Sequence, residues 1–269
     1  MKDNFRGCAA LKFCFTYLVH GKEILRLFQN SIASLRRAGY DGKIIVYSTI
    51  SEWAVLEGIC LRHRADLRQL AVAGLLDDQN YHQIGTNEFN RITWEKFTVI
   101  KNALEEGFDG VIFSDCDIAF FKDPTPFLEQ AMEDFPILSQ AENDGNYPQK
   151  MCAGFMCFRK SKSNITLLDR LYKHALKNPE LGHDQDVMKA YFSERTEYLK
   201  KLYLLPESLF PNGALYGLLR RRRLKFMWPA GSAYLFHASF TPGVVNKEML
   251  LRLTKAWFLK DRLFRFKRK

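Results

Sequence analysis

Two aspartates two residues apart, Asp115 and Asp117, follow the apolar run Val111-Ile112-Phe113 and precede a second one, Ile118-Ala119-Phe120-Phe121. On an extended chain side chains alternate with period two, so both carboxylates would point the same way. Two such groups repel unless a cation sits between them and an anionic ligand. Hard oxygen donors suit Mg²⁺ or Mn²⁺, and a nucleoside diphosphate is the natural partner of such an ion. A charged pair flanked by core on both sides needs a partner of this kind. The motif alone is not specific. Asp184-Gln185-Asp186 repeats the spacing, and Asp115 also fits a turn ahead of Asp123-Pro124.

The elements that must position the pair read as alternating strands and helices. Leu11 to Val19 is an apolar strand. Ile24 to Arg37 carries apolar residues at helical spacing and stops at Gly39. Lys43 to Tyr47 is a second buried strand, Leu56 to Ala73 reads as a helix, and Ile92 to Glu106 is a helix ended by Gly107. Val111 to Phe113 is then a third strand. This alternation predicts a parallel α/β sheet with crossover helices, and in such sheets ligands bind beyond the carboxyl ends of the strands. Further on, Pro136 to Ala141 and Gly154 to Arg159 read as strands, and Ile165 to Lys177 and Asp184 to Tyr191 as helices. Pro206 to Gly217 reads as a loop, Tyr234 to His237 as a short strand and Lys247 to Phe266 as a terminal helix.

The chain has 269 residues, 47% hydrophobic and 26% charged, with 22 Phe. That is a globular composition with a well-filled interior. No run is long and apolar enough to span a bilayer, and no leader pattern is evident at the start. The net charge is +10. Arg220 to Arg223 with Lys225, and the last ten residues, account for all of it. The remainder is neutral, which argues against a duplex nucleic-acid partner. Six cysteines without a C-x-x-C pair, several in apolar runs, read as buried thiols of a cytoplasmic protein.

Several motifs occur in a defined order: Thr93-Trp94-Glu95-Lys96, Gly107-Phe108-Asp109, Val111 to Asp117 and Asp123-Pro124. There follow Cys152-Ala153-Gly154-Phe155-Met156-Cys157-Phe158-Arg159, His183-Asp184-Gln185 and Leu205-Pro206-Glu207-Ser208-Leu209-Phe210-Pro211-Asn212-Gly213. His237, Gly243 and Lys247 close the series. This order, over residues 11 to 257, resembles the DxD-containing nucleotide-diphospho-sugar glycosyltransferases of GT-A fold and retaining type. The resemblance implies one Rossmann-like α/β domain over residues 1–257, with a mostly parallel central sheet flanked by helices. A basic amphipathic tail over 258–269 follows it.

The resemblance also implies roles. Asp117 and His237 would bind Mn²⁺ (or Mg²⁺), with Asp115 on the metal, its waters or the ribose. Lys247 would meet the diphosphate and Lys96 the donor, with Gly154 beside it. Thr16 and Tyr17 would form a uridine-binding edge. Asp184 and Gln185 would sit beside the donor sugar as catalytic residues. The expected donor is a UDP-sugar, and the acceptor a glycan or glycolipid. Two positions depart from the pattern: Cys152 stands where Asn is usual before Ala-Gly-Phe, and Lys189 where Asn is usual after Asp-Gln. Four competing readings stand beside these. Lys96 also fits a surface lysine, and Asp184 a helix N-cap. The Asp pair also fits a haloacid-dehalogenase-like phosphatase, although Ile118-Ala119-Phe120 lacks the Thr that chemistry needs. A non-enzymatic basic module would use Arg220 to Lys225. The interleaved Phe, Leu, Lys and Arg of the tail fit either a terminal helix whose apolar face closes the core, with a frayed basic end, or peripheral contact with an anionic membrane.

Overall fold

A computed structural model describes residues 11–51, 53–72, 75, 80, 82–142, 150–224 and 231–260. The main sheet has strands β1 (Phe13–Val19), β2 (Lys43–Ser48), β3 (Asp66–Gln69), β4 (Gly110–Ser114), β6 (Ile137–Ala141), β7 (Met151–Arg159) and β8 (Leu202–Leu205). Their order is β3-β2-β1-β4-β7-β6-β8. β1, β2, β3 and β4 pair in parallel, as do β6 and β8, while β7 runs antiparallel to both neighbours. From β1 the chain builds outward through β2 and β3, then crosses back to β4 on the other side. A crevice therefore opens beyond the ends of β1 and β4, where the strand order reverses. A second sheet of two antiparallel strands, β5 (Ile118–Phe120) and β9 (Leu235–His237), lies just past β4.

Among the described residues eight α-helices flank the sheets: α1 (Leu25–Arg37), α2 (Ala54–Arg62), α3 (Asn87–Glu105), α4 (Thr125–Asp134), α5 (Lys162–Lys177), α6 (Asp184–Glu194), α7 (Gly213–Arg221) and α8 (Val244–Leu253). Strand alternation sorts the core into two layers. Phe13, Phe15, Tyr17 and Val19 of β1 join Phe28 and Ile32 of α1 on one face. Cys14 of β1 and Val111 and Phe113 of β4 join Phe97, Ile100 and Leu168 of α3 and α5 on the other. A third cluster, with Leu27, Ala119, Phe236 and Leu251, lies under the small sheet and α8. Among the described residues no helix is long and apolar enough to cross a membrane.

Four expectations are corrected. The segment from Leu56 is not one helix. It stops at His63, Arg64 reverses the chain at φ 51, and β3 follows. β3 is a short polar edge strand, so it carries no apolar signature. Helix α3 begins at Asn87, five residues before the apolar period, because Thr86 Oγ1 caps it by accepting from Phe89 N–H at 3.2 Å. The Pro206 to Gly217 segment contains the start of α7, whose N-cap is Asn212. Its turn-forming residues are the capping signal. Helix α8 ends at Leu253, where Thr254 Oγ1 donates to Leu250 O at 2.9 Å and Lys255 takes φ 59. No Gly or Pro marks this stop, so the sequence reads on as helix. The part of that expected helix beyond residue 260 lies outside the described residues.

Candidate active site

β4 ends at Ser114, and the chain turns through Asp115 to Asp117 before β5 begins. The pair therefore lies in a turn, contrary to the extended-strand expectation, and the turn makes the carboxylates converge. The small sheet supplies the third residue. Ile118 stands opposite His237, and Ala238 N–H donates to Asp117 O at 3.0 Å. His237 Nε2 lies 3.3 Å from Asp117 Oδ1 and 3.9 Å from Asp115 Oδ2. One potential ligand atom from each of the three residues lies within 4.8 Å of the others.

The other oxygen of each carboxylate is already held. Lys96 Nζ meets Asp115 Oδ1 at 2.8 Å, and Lys247 Nζ meets Asp117 Oδ2 at 2.7 Å. Buried Gln140 fixes the imidazole from behind. Its Nε2 donates to the carbonyls of Phe210 at 2.9 Å and Pro211 at 3.3 Å, which turns its Oε1 to His237 Nδ1 at 2.8 Å. Two carbonyls facing the amide nitrogen assign its orientation, so in the neutral ring Nδ1 is the donor and Nε2 keeps the lone pair. A bulge between Ser139 and Gln140 in the β6–β7 ladder aims this side chain. Gly154 leaves room above the three groups. A Cβ there would lie 2.8 Å from Asp115 Oδ2 and 3.0 Å from His237 Nε2. Two carboxylate oxygens and one imidazole nitrogen, under a space that a methyl group would fill, fit a divalent ion of the Mn²⁺ or Mg²⁺ type.

The electrostatics are set by burial and by opposed charges. Burial disfavours a charged His237, but Asp117 outweighs it and pushes the pKa up to about 10. Burial likewise opposes ionised Asp117, but Lys247 and His237 hold it well below the usual carboxylate range. For Asp115 burial wins: its pKa is raised, with Lys96 only partly offsetting burial and the Asp117 charge.

Lys96 also meets Asp184 Oδ2 at 2.8 Å, so it ties Asp115 to the start of α6. Its side chain is 9% exposed, and the surface-lysine alternative does not hold. Burial opposes an ionised Asp184, but Lys96 lowers its pKa to about 2. The N-cap of α6 is His183, whose Nδ1 accepts from Gln185 N–H at 3.3 Å. Asp184 is instead the first helical residue, where the helix dipole favours an anion. Gln185 Oε1 accepts from Ala153 N–H at 3.1 Å, and its Nε2 donates to buried Glu142 Oε1 at 2.7 Å. The second Glu142 oxygen meets Lys189 Nζ at 3.1 Å. Lys189 therefore offsets a buried acid, and Cys152 Sγ lies 3.8 Å from His237 Nδ1.

Two cavities meet at this cluster. One, of about 120 Å³, is lined by Leu18, His20, Ile24, Leu27, His82 and the Asp115–Asp117 turn. The other, of about 240 Å³, is lined by Glu142, Gly154, His183, Asp184, Gln185 and His237. Lys96, Asp115 and Lys247 line both. Thr16 and Tyr17 are not brought there, a correction to the expected uridine edge. Both are fully buried, with Thr16 Oγ1 3.4 Å from Ile112 O and Tyr17 Oη 3.2 Å from Ser31 Oγ. The crevice begins further along the chain, at Leu18 and His20. His20 Nδ1 lies 2.6 Å from Thr49 Oγ1, and its ring stacks on His82 at 5.1 Å. His20, His82, Gln140 and Glu142 were not legible as site residues. Only His20, polar at the end of an apolar strand, carried a signal.

A search of characterised proteins finds the UDP-D-xylose:L-fucose alpha-1,3-D-xylosyltransferase 3 of Arabidopsis thaliana. It is 23% identical over 210 residues, which cover 71% of this chain and 53% of that protein. The chain thus spans about half of that relative's length. Among solved structures, the galactosyltransferase LgtC aligns with a TM-score of 0.60 at 12% identity, covering 93% of this chain and 98% of that one. The glycosyltransferase GlyE of Streptococcus pneumoniae TIGR4 aligns with a TM-score of 0.60 at 16% identity, covering 91% of this chain and 60% of that one. These neighbours show a GT-A fold, and a phosphatase reading of the Asp pair has no support from them. The sequence profile of the nucleotide-diphospho-sugar transferases matches residues 56–251, and this chain belongs to that family.

Proposed function

We propose that this chain is a divalent-metal-dependent glycosyltransferase that moves a pentosyl or hexosyl group from a UDP-sugar to a hydroxyl of a glycan or glycolipid, with retention of configuration. The convergence of Asp115 Oδ2, Asp117 Oδ1 and His237 Nε2 under Gly154 carries this reading. Asp115, Asp117 and His237 would hold the ion, and a bound ion would neutralise charge on the departing diphosphate. The donor of the xylosyltransferase relative, UDP-D-xylose, supports the nucleotide and the pentose. The largely apolar cavity with its stacked His20 and His82 suits the nucleoside.

The chain's own groups have distinct tasks. Lys247 faces both cavities and is the cation that can transfer from Asp117 to the diphosphate as charge develops there. Asp184, held ionised by Lys96, places a negative charge beside the sugar cavity, where it stabilises an oxocarbenium-like centre. Gln185, held by Ala153 and Glu142, orients the sugar. The acceptor attacks from the side the diphosphate leaves, and the leaving phosphate takes its proton. Retention rests on the family resemblance. The test is turnover of UDP-xylose with Mn²⁺ by wild type and by Asp117→Asn, with the anomeric proton of fresh product followed by NMR. Metal-independent turnover, or an inverted product, overturns the respective part of the proposal.

We also propose that the basic tail contacts an anionic membrane. Trp257 and Phe258 are anchored, with Arg252 over the Trp257 ring at 4.7 Å and Phe258 N–H donating to Asn30 Oδ1 at 2.7 Å. The sequence beyond that anchor interleaves Phe and Leu with Arg and Lys. Full-length protein should sediment with anionic vesicles at low salt, and a form ending at Leu259 should not.

A further inference from the structure

We infer that Phe240 is the stacking platform of an acceptor subsite, taking the C–H face of a neutral sugar ring. This rests on the glycosyltransferase reading above. Phe240 lines the same cavity as Gly154, Asp184 and Gln185, and it is 53% exposed. Its backbone has φ 56, in the left-handed region that disfavours residues with a Cβ. Two local preferences are therefore broken at one position: an aromatic ring faces solvent, and a bulky residue takes a glycine conformation. Three residues on, Gly243 at φ 81 fills a similar requirement in the ordinary way. Strain of this kind persists where the surroundings hold it, and it gathers at ligand sites.

The surroundings do hold it. Ala238 N–H is tied to Asp117 O at 3.0 Å, and Thr241 Oγ1 lies 3.4 Å from Ser239 O. Gly213, the first residue of α7, lets Ser239 O approach so closely that a Cβ there would collide with it. The ring is thus presented to the cavity on a braced turn. Ile84, 63% exposed, lines the same cavity and adds a second apolar group at its opening. An acceptor hydroxyl must pass this opening to reach the sugar beside Asp184. A flat aromatic face is suited to the C–H face of a pyranose, and the absence of charge on Phe240 and Ile84 favours a neutral ring over an anionic one.

The test is saturation-transfer NMR with methyl α-L-fucopyranoside and methyl β-D-galactopyranoside, in the presence of UDP and Mg²⁺. Wild type should transfer saturation to the ring C–H protons of at least one pyranoside. Phe240→Trp should keep that transfer, and Phe240→Ala and Phe240→Gly should lose at least fivefold of it. Phe240→Gly should also raise Tm, because it relieves the positive φ. A variant that is more stable yet no longer meets the pyranoside excludes misfolding as the cause. Equal transfer in Phe240→Ala, or none to either pyranoside from UDP-bound wild type, overturns the subsite while leaving the donor reading standing. Failure of wild type to bind UDP would overturn the donor reading itself, and the subsite with it.

Discussion

The two ends of the crevice are built on different principles. At the inner end Asp115, Asp117, Asp184, Lys96, Lys247 and His237 pair with one another, mostly out of contact with water. At the outer lip Ile84 and Phe240 stand exposed and uncharged. A charge lattice assembled before the ligand arrives needs little reorganisation when charge develops, so on the proposed reading it would serve the step common to every substrate. An apolar lip contributes modest affinity that a few substitutions can retune, so on the proposed reading it would serve the choice of acceptor.

Perturbing the lattice should have the largest effect. Asp117→Asn should lower Mn²⁺-dependent UDP-xylose turnover by about 10²–10³-fold, the scale of losing one aligned electrostatic group. Thermal unfolding should show that the variant still folds. Comparable loss from Phe240→Ala in the same assay would erase the contrast between the two ends. Lys247→Met should weaken free UDP binding by about 1.5–3 kcal/mol, because a charge-assisted contact is lost. Calorimetry that finds unchanged affinity would leave this lysine as a partner of Asp117 only. Gly154→Ala should reduce Mn²⁺ affinity by roughly tenfold or more, since its methyl group would enter the space beside Asp115 and His237. Serine there should behave no better.

Protonation gives a smaller, graded effect. His237 has its pKa raised to about 10, so in the metal-free protein its proton stabilises the fold fully below about pH 6.5. That contribution is lost as pH rises through about 10. A metal needs the same Nε2, so binding at pH 7 should release about one proton, and affinity should climb with pH. Calorimetry in buffers of different ionisation enthalpy reads this directly. The smallest effect belongs midway along the crevice. Glu142→Gln should cost about 0.5–1.5 kcal/mol in transition-state stabilisation through a less firmly held Gln185. Lys189→Met should do no more than that.

The aspartate pair and Lys247 were legible because they lie beside strong local signals, an apolar strand and a Gly-started helix. His237 was reachable only through the order of the motifs, since a three-residue strand that pairs with β5 across the chain has no period to read. Gln140 and Glu142 were not legible. Their roles come from a bulge and from α6 packing over β7, which are tertiary events. Thr16 and Tyr17 were misplaced although the end of the strand at Val19 was read correctly: the resemblance put the edge two residues too early, inside buried β1, and the crevice lining begins at Leu18 and His20. Phe240 offered a faint clue, an aromatic residue in the turn-rich Ser239-Phe240-Thr241-Pro242-Gly243.

The Gln140–His237 contact sets how long an ion would stay. A carboxylate behind a ligating imidazole draws on its Nδ1 proton and makes the opposite nitrogen a stronger base. A carboxamide does this only weakly, so it selects the nitrogen without much strengthening it. An ion on such a ligand set would exchange quickly with the surrounding pool. It would arrive and depart with the nucleotide at each turnover instead of residing in the protein.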